Sequence, residues 1–294
     1  MSKFIGVISK IKWIGMIGVI GNLIYPSRTL KLIGLFMLLG LVEIFYNLPM
    51  FIQSLQQVLL LPYIYIVHGF RLPSKDNYRC KTEFILPFEG RWAVVNGSVE
   101  KTLSHSWGML PQRYAYDFLI LNEEGRSFHD LETEAMNYYC YGQKVLAPAD
   151  GVVVQASQRM SDSKIYGDGK IDYNIKDIRG NYIIIKHNKH EYSFIAHIKP
   201  GSILVKKGQE VRQGEEIARC GNSGNSSEPH IHFHVQDGKS VFSSAGLPVC
   251  FKHVNITKEE YYTKYDTRPL PEIKEDSNAM EGYIHRGQFV ETVQ

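Results

Sequence analysis

The segment "GNSGNSSEPHIHFHVQDG", residues 221–238, places His230, His232 and His234 at alternate positions. In a strand, successive side chains point to opposite faces, so the imidazoles share one face and Ile231, Phe233 and Val235 the other. The apolar set suits a core. The imidazoles suit metal binding or proton transfer, and the turn-rich loop ahead of them delivers the strand to a rim where sites are built. Catalytic zinc takes three protein ligands, usually His and carboxylate, and keeps one position open. Two ligating or proton-shuttling imidazoles on one strand must stand two residues apart, as His230 and His232 do. Other ligands must come from elsewhere, and "SHSWGMLPQRYAYDF" offers His105 and Asp117. In the alternation of "RYAYDFLIL", Asp117 shares a face with Ala115 and Leu119. A carboxylate in that apolar company needs a partner, and a metal is one; an Asp at a strand edge facing water is the alternative. His197 ends the apolar run "YSFIAH" before a Pro-Gly turn, a place where a lone His is more often structural than catalytic.

The elements that must position these residues are strands. From Phe84 onward, short runs rich in Val, Ile, Tyr and Phe alternate with Gly, Asn, Asp and Pro, as in "RWAVVNGS", "KVLAPADGVVVQAS" and "GNYIIIKH". Residues 158–180 are polar and Gly/Asp-rich and read as an inserted loop; residues 122–143 read as a second excursion, with a short helix around "DLETEAMNYY". The turns "KKGQEV" and "RQGEEI" are typical of sandwich and barrel-like folds that hold biotin or lipoyl groups, but no lysine sits at an equivalent hairpin tip. The tail from about Thr257 has little periodicity and is expected to wrap the surface. His187 and His190 flank a turn and are expected at the surface, and His234 behind the site or in solvent.

The first 70 residues differ. Residues 1–42 contain Lys3, Lys10, Lys12, Arg28 and Lys31 but no acidic residue, and from Leu32 to Val67 the only formal charge is Glu43. A bilayer-crossing helix needs about 20 apolar residues, which residues 30–52 supply. Residues 13–25 are short for a span, and residues 57–70 add apolar length interrupted by Pro62. This region reads as a membrane anchor of one to three embedded segments, a buried helical hairpin being the alternative. Basic residues ahead of the main span favour a cytoplasmic start, and an odd number of crossings then puts the rest outside. No small-residue cleavage pattern follows the first apolar run.

Across all 294 residues the formal net charge is only +3, so charge balance implies no general attraction to nucleic acid. Four cysteines, Cys80, Cys140, Cys220 and Cys250, follow the anchor with spacings that fit no zinc knuckle; packed thiols and disulfides are both open.

Taken together, His105, Asp117, the His197 strand, "GNSG" and "PHIHF", with "YGQKVLAPADGVVV" and "GSILVKKGQEVRQGEEIARCGNSG", resemble the lysostaphin/LytM-type zinc metallopeptidase family over roughly residues 84–240. The resemblance implies zinc held by His105, Asp117 and His232, with His230 and His197 lining the catalytic pocket. In the family's usual first motif the Asp follows its His by about four residues; here 12 positions separate His105 from Asp117, so a loop must fold back, and His129 with Asp130 is the fallback. The implied fold is mostly β, an antiparallel β-sandwich-like peptidase domain of the duplicated hybrid motif type, after an α-helical membrane anchor. Residues 1–70 are expected as the anchor, 71–254 as the zinc peptidase domain and 255–294 as a tail packing on it.

The expected reaction is zinc-assisted hydrolysis of peptide bonds in peptidoglycan cross-bridges or stems, on the wall-facing side of the cell membrane. His230 is expected as the base and His197 as the residue that orients water or stabilises an oxyanion; the sequence leaves their exchange open, and names no regulatory partner. A degenerate scaffold or wall-binding module is the alternative, and a cytoplasmic phosphoryl-carrier domain a remoter one, opposed by Asp117 and the His-x-His pair.

Overall fold

Among residues 3–270 and 282–293, those described by the computed structural model, the β-branched and aromatic runs form twelve strands. They are β1 (Arg91–Asn96), β2 (Tyr116–Leu119), β3 (Lys144–Leu146), β4 (Gly151–Ser157), β5 (Tyr182–Lys186), β6 (Tyr192–Ala196), β7 (Glu210–Val211), β8 (Glu216–Arg219), β9 (Ile231–Gln236), β10 (Gly246–Leu247), β11 (Val254–Lys258) and β12 (Gln288–Thr292). Ten join one sheet in the order β11-β12-β1-β2-β9-β6-β5-β4-β7, with β10 on β9, and β3 pairs with β8. Every strand pairing is antiparallel.

The main core lies between this sheet and the β3–β8 pair. Ile231, Phe233 and Val235 enter it, as the alternation requires, beside Tyr116, Phe118, Val145, Ala218 and Phe251. Residues 158–180 are irregular, and the short helix expected near residue 135 is one 3₁₀ turn, Ala135–Asn137. Cys80, Cys140 and Cys220 are free thiols.

Two surface expectations are corrected. The tail does not merely wrap the domain: β11 and β12 extend the sheet, β12 pairing with β1, and Tyr262 is buried. Alternation there is short and interrupted, so its pairing depends on the exposed edge that β1 offers. His187 is half-buried, bonded through Nδ1 to the Asp150 carbonyl and through Nε2 to Ser193 Oγ, and burial lowers its pKa. His190 is exposed.

Ahead of the sheet, Gly6–Ile24, Arg28–Tyr46 and Leu48–Val67 are long and apolar enough to cross a membrane. The stretch 30–52 is not one span: the chain breaks at Asn47, whose side chain caps the next helix by accepting from Met50 N, with Pro49 in its first turn. The first two helices pack as a hairpin. A Cβ on Gly18 would stand 2.3 Å from Gly34 N, so only glycine permits that approach. Lys12 pairs with Glu43 across the hairpin, offsetting both charges of its apolar interior.

Candidate functional site

Strand register brings the site together. β2 pairs with β9 so that Asp117 stands opposite His232, and β9 pairs with β6 so that His232 stands opposite Ala196. Directly opposed residues hold their Cβ atoms about 4.5–5.5 Å apart, which puts these side chains in reach of one another. His197 follows the last β6 residue at φ 60°, a left-handed turn that swings its ring beside His230, with centroids 4.7 Å apart.

His105 arrives by the folded-back loop. Ser104 Oγ donates to the Arg113 carbonyl at 2.7 Å, Arg113 stacks 4.6 Å over the Trp107 ring, and buried Leu110 pins the loop against Ile64 and Ala245. The 12-residue spacing therefore closes on itself and places His105 Nε2 3.2 Å from Asp117 Oδ2. His129 and Asp130 are exposed and outside the cleft, the His129 ring resting against Tyr139; they do not join the cluster.

One ligand atom each from His105, Asp117 and His232 lies within 4.8 Å of the others. His232 Nδ1 is 2.9 Å and His230 Nε2 3.6 Å from Asp117 Oδ1. The cluster lines a cleft of about 450 Å³ that also receives His197 and His230. Burial opposes ionisation of Asp117, but the charges of His105 and His230 and the close imidazoles of His105 and His232 hold its carboxyl well below the usual range. Burial would lower His105, but Asp117 outweighs it and the pKa is raised. For His197, burial and then the repulsion of His230 and His232 hold the ring well below its ordinary value.

The hydrogen-bond network sets the tautomers. Gln236 Nε2 donates to the Gly238 carbonyl, so its Oε1 accepts from His234 Nε2–H at 2.9 Å. Neutral His234 then accepts through Nδ1, 3.2 Å from His232 Nε2, while His232 Nδ1 stands 2.9 Å from Asp117 Oδ1. His234 is fully buried rather than solvated, and burial pushes its pKa down to about 3. His197 Nδ1 donates to the Ser223 carbonyl at 2.7 Å and His230 Nδ1 to the Glu228 carbonyl at 2.8 Å, leaving both Nε2 atoms as acceptors.

Several positioning residues were not readable as such in the sequence. Asn96 Nδ2 donates to Asp117 Oδ2 at 2.9 Å, and Arg268, clamped by Asp266, donates to Asn96 Oδ1 and the Val95 carbonyl. The tail thus braces the carboxylate. Ser223, whose carbonyl orients His197, sits where two turns cross: a Cβ on Gly180 would lie 2.2 Å from Ser223 O, at φ +64°. Glycines in "GNSG" signal such an approach, but the partner, Gly180, is 43 residues upstream of Ser223.

The donor set fits zinc. His232 Nδ1 meets Asp117 Oδ1 at 2.9 Å, and His105 Nε2 reaches the other oxygen of the same carboxylate at 3.2 Å. Burial lowers His232 more than Asp117 raises it, which keeps the ring neutral, the form that ligates a metal. Two imidazoles and a carboxylate are a zinc ligand set, and His105, Asp117 and His232 would supply it.

Residues 134–243 match the model of "Peptidase family M23", a span that includes His197, His230 and His232 but ends short of His105 and Asp117. The chain is 43% identical over 70 residues to "Peptidoglycan DD-endopeptidase ShyB" of Vibrio cholerae, covering 24% of this chain and 16% of that protein. It is 39% identical over 108 residues to "Murein hydrolase activator NlpD" of Escherichia coli, covering 36% of this chain and 24% of that protein. It thus spans a quarter or less of the length of these relatives. Among solved structures, a catalytic-domain variant of the prophage-encoded M23 protein EnpA from Enterococcus faecalis aligns with 56% of this chain and 95% of its own, at TM-score 0.35 and 17% identity. With the motif order and the family match on one antiparallel sheet, the chain carries a peptidase family M23 domain of the lysostaphin/LytM type.

Proposed function

We propose that the protein is a membrane-anchored zinc endopeptidase that hydrolyses peptide bonds in bacterial peptidoglycan cross-bridges or stems. The observation that carries this reading is the convergence of His105, Asp117 and His232 in a cleft beside two histidines whose Nε2 atoms are held as acceptors. Residues 1–70 form the anchor. The peptidase domain runs from residue 71, with its sheet completed by the 255–294 tail, and faces the wall.

His105, Asp117 and His232 would hold a zinc ion, which would supply Lewis acidity toward the scissile carbonyl and a bound water. His230, beside ligand His232, accepts the water proton through Nε2 and passes it to the leaving amine. His197 orients the water and stabilises charge developing on the carbonyl oxygen. Asn96 and His234 hold Asp117 and His232 in place. A ShyB relative named for peptidoglycan endopeptidase activity supports the substrate class.

A second reading rests on the relative named as a murein hydrolase activator: a wall-binding module that stimulates another hydrolase. The filled ligand and base positions favour the enzyme. The test is mass spectrometry of fragments released from purified cell walls by the detergent-solubilised, zinc-loaded full chain, beside His232→Ala. New amino termini from the intact protein alone support the peptidase, and fragment masses name the bond. Intact protein that binds zinc and wall but releases nothing supports the second reading.

A further inference from the structure

The third apolar helix differs from the first two in what it touches. Its inward stripe, Asn47, Met50, Gln53, Gln57, Ile64 and His68, recurs every three to seven residues along one face. Asn47 Nδ2 donates to the carbonyls of Tyr173 at 2.5 Å and Ile175 at 2.8 Å. Gln53 Nε2 donates to the Lys176 carbonyl at 2.8 Å, and its Oε1 accepts from Ile178 N at 3.0 Å. Met50 and Gln57, with Ser54, line the catalytic cleft. Ile64 is buried against Leu110 and Ala245, and His68 Nε2 lies 2.8 Å from Asp237 Oδ2. The opposite face is apolar and outward: Phe51, Leu55, Val58, Leu59 and Ile66 are each 40–66% exposed.

We propose that residues 48–67 do not cross the bilayer but lie in its interface, with their apolar face in the lipid and their polar edge forming one wall of the cleft. From Asn47 to His68 the contacts with the domain run for about 31 Å at 1.5 Å per residue. That equals the roughly 30 Å thickness of the hydrocarbon. A spanning helix with these contacts would drag Lys176, Asp177, Arg179 and Asp237 into hydrocarbon, where charges are costly. A helix with one polar edge on a folded domain and a broad apolar face opposite suits the headgroup boundary. The occupant of that face is the bilayer, because only Asn47 separates the helix from Tyr46, the end of the second candidate span.

Two crossings then remain, Gly6–Ile24 and Arg28–Tyr46. The turn between them, next to Arg28 and Lys31, lies across the membrane from the domain, in keeping with basic residues on the cytoplasmic side. The start of the first helix is accordingly on the domain's side, the reverse of the orientation its own lysines suggest. If the domain is the peptidase proposed above, its cleft opens at the membrane surface and takes peptides presented there.

The test uses the full chain in cells, with Ser27→Cys or Asp76→Cys and a charged, membrane-impermeant maleimide, read against labelling of the parent protein. The interfacial helix leaves one crossing between these positions, so only one of them labels in intact cells and both label after permeabilisation. Labelling from the same side means that residues 48–67 cross and overturns the proposal. In vesicles of phosphatidylethanolamine and phosphatidylglycerol, spin labels at Phe51→Cys, Leu55→Cys and Leu59→Cys should share one shallow depth, about 5–10 Å into the boundary. A gradient of about 12 Å between positions 51 and 59 would be a span and would overturn it. Neither readout depends on hydrolysis, so loss of the peptidase reading would leave both unchanged.

Discussion

Replacing His234 with Phe tests whether the Gln236–His234–His232 relay sets the metal site. His234 is fully buried, 4.9 Å from the Phe194 ring by centroids, so a phenyl ring occupies nearly the same volume in aromatic company. The substitution removes the acceptor that holds His232 Nε2–H and frees His232 to place its proton on Nδ1, toward Asp117. Losing an outer partner of a ligating histidine typically weakens metal binding about 10–100-fold, or about 1.4–2.7 kcal/mol. In zinc-free protein the shifted proton donates to Asp117 Oδ1, so stability should fall by less than the roughly 1–3 kcal/mol that an unpaired buried N–H would cost. Zinc affinity is read by competition with a chelating dye and stability by chemical unfolding of zinc-free protein. Wall hydrolysis should fall at limiting zinc and recover largely at saturating zinc, because no group that touches substrate has changed. A His234→Phe protein that binds zinc as tightly as the parent would refute the relay, and His232 would then be held by Asp117 alone.

Three other outcomes follow from the same contacts. His105→Ala should abolish tight zinc binding in the dye competition, whereas His129→Ala and Asp130→Ala should leave it unchanged; the reverse would restore the fallback ligand pair. Gly180→Ala forces a Cβ to 2.2 Å from Ser223 O at positive φ, and should cost about 1–3 kcal/mol in unfolding measurements and lower hydrolysis by displacing His197. Buried Glu191 accepts from Tyr78 OH, Lys81 N, Thr82 N and Asn188 Nδ2, tying the segment after the third helix to the β5–β6 turn, so Glu191→Ala should lose about 2–4 kcal/mol. Burial opposes ionisation there, but the hydrogen bonds win and lower the Glu191 pKa. That contribution is complete above the ordinary carboxylate value and is lost as pH falls through the lowered one, so parent and variant should converge in acid.

Residue order alone carried the chemistry in outline. Period-two alternation in "HIHFHV" assigns its imidazoles to one face and its apolar residues to the core, because strand side chains alternate whatever the partner strands are. The apolar residues before position 70 likewise mark helices long and apolar enough to cross a membrane, since hydrophobicity over 20 residues is a property of composition. Which histidine meets Asp117 is different. His105 and His129 lie equally 12 positions from it, and only the loop pinned by Arg113, Trp107 and Leu110 selects His105. The brace from Arg268 through Asn96 to Asp117 spans more than 150 residues, and β12 finds its place only because β1 leaves an edge open. The third apolar helix carries enough hydropathy to span, yet its polar edge is satisfied by the peptidase domain along its whole length. Local pattern determines what each segment can be; long-range register and the need to satisfy buried polar groups decide where it goes.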